Sequence, residues 1–246
     1  MLFRLLFCLC FISFCTVAQQ PDDDPLFDAQ FDAFGYEIDS ERNSFSPAGD
    51  RYAKFCTPTP QIQSYAYPGK QYVHPGNSLA RPGGKSDFAP GERLYLTGRI
   101  FDSACVPLRD AKVEIWHTDS DGDYRIADKA DIASPYALFA GAGFTKTNNL
   151  GEFEFETIMP GVSKITQPPI INIRVSHPSM RTPLTSTIYF KGENRNPNSL
   201  RFKRLSATNK ELVTAIILPL TSNNLNAGFR AHHDITVRAR DGFRGF

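Results

Sequence analysis

The chain has 246 residues, with 27 lysines and arginines against 26 aspartates and glutamates. That length suits one sizeable all-β domain, and the near-neutral balance without a basic block argues against nucleic acid as a partner. Scattered proline (18) and glycine (17) fit many short strands joined by turns rather than a helical bundle.

Residues 1–18 carry one early positive charge, an apolar run and a small-residue end at Thr16-Val17-Ala18. The pattern predicts a secretory signal peptide, and hence export to the periplasm. The run is short for a membrane span. Lipidation at Cys15 is an open alternative, with bulky Phe14 before it counting against it. Cleavage after residue 18 would leave Cys56 and Cys105 as a pair in an oxidising compartment. A disulfide between them is expected, with two free buried thiols as the other reading.

Residues 19–50 form an arm of different character. Between Asp22 and Glu41 there are eight acids and no basic residue, yet Phe27, Phe31 and Phe34 recur at i, i+4 and i+7, with Tyr36 nearby. Acidity alone would read as a linker. Aromatics at helical spacing read as an arm that orders against a partner groove, or against its own domain. Residues 51–246 are the expected main domain, opening with a stretch rich in proline, glycine and tyrosine whose tyrosines read as a surface strip.

From Gly91 the periodicity becomes regular. Leu94, Leu96 and Gly98 alternate with Tyr95, Thr97 and Arg99, predicting a strand that ends near Phe101. Asp102-Ser103-Ala104 and Pro107 punctuate a turn. Ala111, Val113 and Ile115 alternate with Lys112, Glu114 and Trp116, a second strand, and Asp119-Ser120-Asp121-Gly122 then hands the chain to Tyr124. Further strands are predicted at 153–157, 170–175, 185–190 and 233–240. Lys210 to Thr221 has helical spacing up to Pro219 and predicts one short helix. The pattern predicts an antiparallel β-sandwich with one short helix.

Several stretches resemble the intradiol ring-cleavage dioxygenases, protocatechuate 3,4-dioxygenase chains among them. They include Gly91-Glu92-Arg93 through Gly98-Arg99, the Val113-Glu114-Ile115-Trp116 strand, Gly122-Asp123-Tyr124, and Leu150-Gly151 through Pro160-Gly161. The likeness runs over roughly residues 57–240 and implies the intradiol β-sandwich. It also implies a non-haem ferric iron held by two tyrosinates and two histidines, hard anionic donors and imidazoles suited to Fe(III). Aligned by motif, the first tyrosine position is Tyr124 and the second is Ser163. The two histidine positions are Ile170 and Asn172, and the companion arginine position is Gln167. Three of the four ligand positions therefore lack the family's donor.

Of the five histidines, His117, His177, His232 and His233 read as surface or turn residues with no spacing suited to two ligands on one face. Asp119 and Asp121 read as caps of their own turn. The expectation is an exported pseudoenzyme without a cofactor, serving as a structural or interaction subunit of a cell-envelope assembly, with a secretion-machine core as one candidate and Phe27, Phe31, Phe34 and Tyr36 as partner contacts. The alternatives are a non-catalytic supporting chain of a heteromeric intradiol dioxygenase and an active secreted catechol-type dioxygenase.

Overall fold

The computed structural model describes residues 57–64, 67–70, 73–81, 87–124, 138–162, 167–220 and 228–238, with the backbone of 30–31 and 37–38. The chain divides into two compact units, Met1–Pro47 and Ala48–Phe246. In the first, β1 (Gln30–Phe31) pairs antiparallel with β2 (Glu37–Ile38), Gln30 opposite Ile38 and Phe31 opposite Glu37. The helical spacing of the aromatics is thus not expressed as a helix at Phe31. Gly35 inside the stretch weakens a helix by about 1 kcal/mol, and strand pairing satisfies the backbone instead. Phe27, Phe34 and Tyr36 lie outside the described residues.

The second unit runs β3 (His74–Pro75), β4 (Arg93–Asp102), β5 (Lys112–Trp116), β6 (Ala142–Lys146), β7 (Glu152–Ile158), β8 (Ile170–Ser176) and β9 (Leu184–Phe190). It continues with α1 (Leu200–Lys203), α2 (Ala207–Glu211), β10 (Thr214–Pro219), β11 (Phe229–His232) and β12 (Ile235–Val237). These strands make one ten-stranded sheet ordered β12-β4-β11-β10-β9-β8-β5-β6-β3, with β7 also paired to β4. The sheet curls over so that Leu94, Leu96, Ile100, Phe153 and Phe155 face Val113, Ile115, Ile171, Ile173 and Val175 in one apolar cluster. Each such side chain contributes about 1.5–3 kcal/mol by leaving water.

The sheet is mixed rather than wholly antiparallel. β10 runs parallel to β9, β11 and β12 run parallel to β4, and β3 runs parallel to β6. Parallel neighbours require long connections, and here α1 and α2 supply the one between β9 and β10. Two short helices therefore stand where one was expected. The predicted helix over 210–221 is corrected as well. α2, capped by the Ser206 hydroxyl accepting from the Asn209 amide, stops at Glu211. Val213 and Ala215 then turn into the interior with no exposed surface. Pairing on both sides, to Tyr189-Phe190 and to Phe229–His232, favours strand for the β-branched Thr214, Ile216 and Ile217.

Gly98 is required by close approach. A Cβ there would collide with the His233 carbonyl, whose residue crosses β4 and donates its amide to Thr97 O at 2.9 Å. Among the described residues no helix is long and apolar enough to cross a membrane.

Candidate functional site

Period-two alternation sends one face of β5 and β8 into the core, so the other face carries Glu114, Trp116, Ile170, Asn172 and Arg174. Register joins them: Trp116 stands opposite Asn172 and Glu114 opposite Arg174, while β9 places Tyr189 beside Ile170 and Thr187 beside Asn172. This face holds the positions matched to the family's histidines.

The turn after β5 brings Tyr124 to the same face. Asp119 is fully buried, and its Oδ1 accepts the amides of Asp121 and Asp123, both at 3.0 Å. The backbone of Asp119 accepts from Gly161 N at 2.7 Å, and Thr118 Oγ1 donates to Gly161 O at 3.0 Å. A Cβ on Gly161 would strike the Ser120 carbonyl. The turn cap expected of Asp119 is present, and it clamps the Gly-x-Tyr element to Pro160-Gly161. Ser163, two residues further on, lies outside the described residues.

Asn172 is buried, and its Nδ2 donates one hydrogen bond to Trp116 O at 3.2 Å and another to the half-buried Tyr124 hydroxyl at 3.1 Å. The side chain is a neutral amide, whose oxygen is a far weaker donor to ferric iron than an imidazole nitrogen or a tyrosinate. Ile170 is 4% exposed and packs with Ile62, Tyr189 and Val213, an alkyl side chain with no donor at all. Gln167 lies just before β8, with its Oε1 buried and without a hydrogen-bond partner among the described residues. The described donors at the matched positions are thus one phenol and one amide already engaged with it. They do not fit the tyrosinate and imidazole set that ferric iron takes in this family. Among the described residues no group of three or more His, Cys, Asp or Glu is placed to hold a metal.

Two histidines differ from expectation. His117 and His233 are buried, not surface residues. The His117 Nδ1–H donates to Thr118 O at 2.7 Å, which leaves Nε2 to accept from the Thr157 hydroxyl at 2.7 Å. Burial pushes both imidazoles down to about 4. His177 sits in the turn after β8 with Ser179 Oγ 2.7 Å from its Nδ1. His232, at the end of β11, lies between Thr97 Oγ1 at 3.1 Å and Asp234 Oδ1 at 2.9 Å. The described partners of His117, His177 and His232 are Thr118 and Thr157, Ser179, and Thr97 and Asp234, which belong to the strands and turns that carry them.

One functional-looking group was not visible as a site in the sequence. The buried Glu114 carboxylate accepts from Lys112 Nζ at 2.9 Å, Arg174 Nη1 at 3.4 Å and the Tyr67 hydroxyl at 3.4 Å. The Tyr67 ring stands edge-on to Trp116, with centroids 5.0 Å apart. Burial, and then the Glu114 charge, raise the Tyr67 hydroxyl above its ordinary value. Tyr67 therefore roofs this face instead of joining a surface strip. The available signal was cross-strand charge pairing of Glu114 with Arg174, readable only once register is known. Cys105 is disulfide-bonded, and Cys56 lies outside the described residues.

Comparison with known proteins gives concordant matches. A family model described as Dioxygenase matches residues 70–230, more than half of the chain. A Rickettsia conorii protein carrying a provisional dioxygenase name is 35% identical over 99 residues, 37% of this chain and 47% of the relative. The protocatechuate 3,4-dioxygenase alpha chain of Pseudomonas putida is 31% identical over 110 residues, 43% of this chain and 52% of the relative. The chain thus spans about half the length of the curated relatives it matches. Among solved structures, the dioxygenase domain of a dioxygenase–carbohydrate-binding protein fusion from Streptomyces sp. SirexAA-E superposes with a TM-score of 0.58 at 26% identity, covering 74% of this chain and 99% of that one.

Proposed function

The chain belongs to the intradiol ring-cleavage dioxygenase family, and on that premise we propose that it is a member without the family's iron site, exported and used as a structural or interaction subunit of a cell-envelope assembly. The observation that carries this reading is the pair at the histidine positions. Ile170 is committed to an apolar cluster, and Asn172 spends both amide protons on Trp116 O and Tyr124 Oη. Intradiol cleavage depends on an open coordination position on a ferric centre, and a phenol beside a neutral carboxamide supplies neither the anionic charge nor the imidazoles to hold one. Tyr124 acts here as a hydrogen-bond acceptor that closes the face over Trp116. The signal pattern of residues 1–18 supports the export step and a periplasmic setting; association with the outer membrane through a complex is a further part of the proposal. A secretion-machine core is one candidate assembly.

The test is reconstruction. Ser163→Tyr, Ile170→His and Asn172→His made together are expected to gain ferric iron and visible colour, while the native chain takes up none. Stoichiometric iron on the native chain would overturn the reading. For the partner role, deleting residues 19–45 is expected to remove co-purifying envelope proteins; an unchanged set would exclude the arm as the contact.

A second reading has its own support, because the alpha chain matched above belongs, by its name, to a dioxygenase built from distinct chains. In that case this protein is a supporting chain and co-purifies with an iron-bearing homologue. Isolation without any such homologue would exclude it.

A further inference from the structure

We propose a second site, whose lining shares no residue with the Tyr124–Asn172 face: the cleft between the 57–61 segment, the turn joining β8 to β9 and the end of β12 binds an oxyanion, a carboxylate or phosphate group, between Arg181 and Arg238. The cleft has a volume of about 950 Å³ and is lined by both arginines together with Asn209 and Thr182. That volume lies in the range of sites that enclose a small organic molecule. Among the described residues no acidic side chain lines it.

Its walls are fixed by the fold. Thr59 N–H donates to Thr236 O at 2.9 Å and Thr59 Oγ1 accepts from Thr236 N at 3.1 Å, so the segment rides on β12. Gln61 Oε1 accepts from Thr185 N at 3.1 Å, and Ile62 N donates to Thr185 O at 2.8 Å, tying the same segment to β9. The cleft is therefore built from the 57–61 segment, the turn into β9, α2 and the end of β12, and does not depend on one loop.

The charges on it are uncompensated. Among the described residues, Arg99 meets Asp234, Arg109 meets Asp110, Arg174 meets Glu114 and Arg195 meets Glu193. Arg181 and Arg238 have no ion pair among the described residues, and both enter the same concavity. A concave wall of one sign focuses its field and concentrates counter-ions. A guanidinium presents a planar fork that pairs with carboxylate or phosphate through two parallel hydrogen bonds. The Asn209 amide and Thr182 hydroxyl add neutral donors on the same wall. This site is independent of iron, so it stands or falls separately from the reading of the Tyr124 face.

The test is calorimetric titration of the full chain at low ionic strength with citrate and, separately, inorganic phosphate. Saturable one-to-one binding is expected, and the tighter of the two anions identifies the group the cleft takes. Arg181→Ala and Arg238→Ala are each expected to weaken binding about tenfold, the scale of one charge-assisted hydrogen-bonded pair. Arg204→Ala, an exposed cation outside the cleft, is expected to leave it unchanged. Circular dichroism of each variant verifies folding. Absence of saturable binding by either anion, or equal affinity in Arg181→Ala, Arg238→Ala and the native chain, would overturn the proposal.

Discussion

The two faces of β8 differ at every consecutive residue. Ile171, Ile173 and Val175 point into the apolar core, where shape and hydrophobicity are the whole specification. Ile170, Asn172 and Arg174 point the other way, onto a face built from an apolar cluster, an amide bridge and a charged network. The inner face holds the sheet in register through burial, which does not depend on what chemistry stands outside. The outer face can therefore exchange imidazole for isoleucine or asparagine while the strand keeps its place. In this family a preserved fold is weak evidence for a preserved reaction.

Paired substitutions separate the faces. Ile173→Ala, which empties a site only 1% exposed, is expected to cost about 3–4 kcal/mol in denaturant unfolding. A cost comparable to that of its neighbour Asn172 would erase the distinction drawn between the faces.

The buried histidines extend the comparison to pH. His117 and His233 titrate at about 4 in the folded chain, below the ordinary histidine value near 6.5. The unfolded chain then binds protons that the folded chain refuses. Stability is complete above about pH 6.5 and falls as pH drops toward 4, by about 3 kcal/mol for each histidine. The denaturant midpoint followed from pH 7 to 4.5 checks this, and a flat profile would contradict it.

On the outer face, Glu114→Ala leaves Lys112 and Arg174 without their shared carboxylate. Both cations keep partial access to water, with side chains 34% and 24% exposed, so the expected loss is about 2 kcal/mol, below that of a wholly buried pair. Asn172→Ala removes two hydrogen bonds and leaves Trp116 O and Tyr124 Oη to find other partners, costing about 1–2 kcal/mol. Both are measured by equilibrium unfolding, and a change above that of Ile173→Ala for either would reverse the ranking.

The inner face was legible in the sequence because alternation is a local signal. Leu94 with Leu96, Val113 with Ile115 and Phe153 with Phe155 mark their strands without knowledge of any partner. The family's ligand positions were assigned to this chain through motif spacing alone. What the sequence did not carry was partnership across strands. The parallel placement of β10, β11 and β12 follows from chain crossings, and residues 214–219 looked helical because Val213, Ile216 and Ile217 also satisfy a 3.6-residue period. His117 looked peripheral beside a turn, yet Thr157 from a different strand buries it. Tyr67 looked exposed because its contacts with Trp116 and Glu114 are nearly fifty residues away along the chain.

Iron content together with the visible absorption spectrum, measured on the full chain purified with its native partners, bears most directly on the central claim. If Ile170 and Asn172 have taken the face over from a metal, the chain is colourless and its iron stays far below one atom per polypeptide. One iron per chain with a ferric-tyrosinate absorption band would mean that Tyr124 is a ligand, and the account of this face would be wrong.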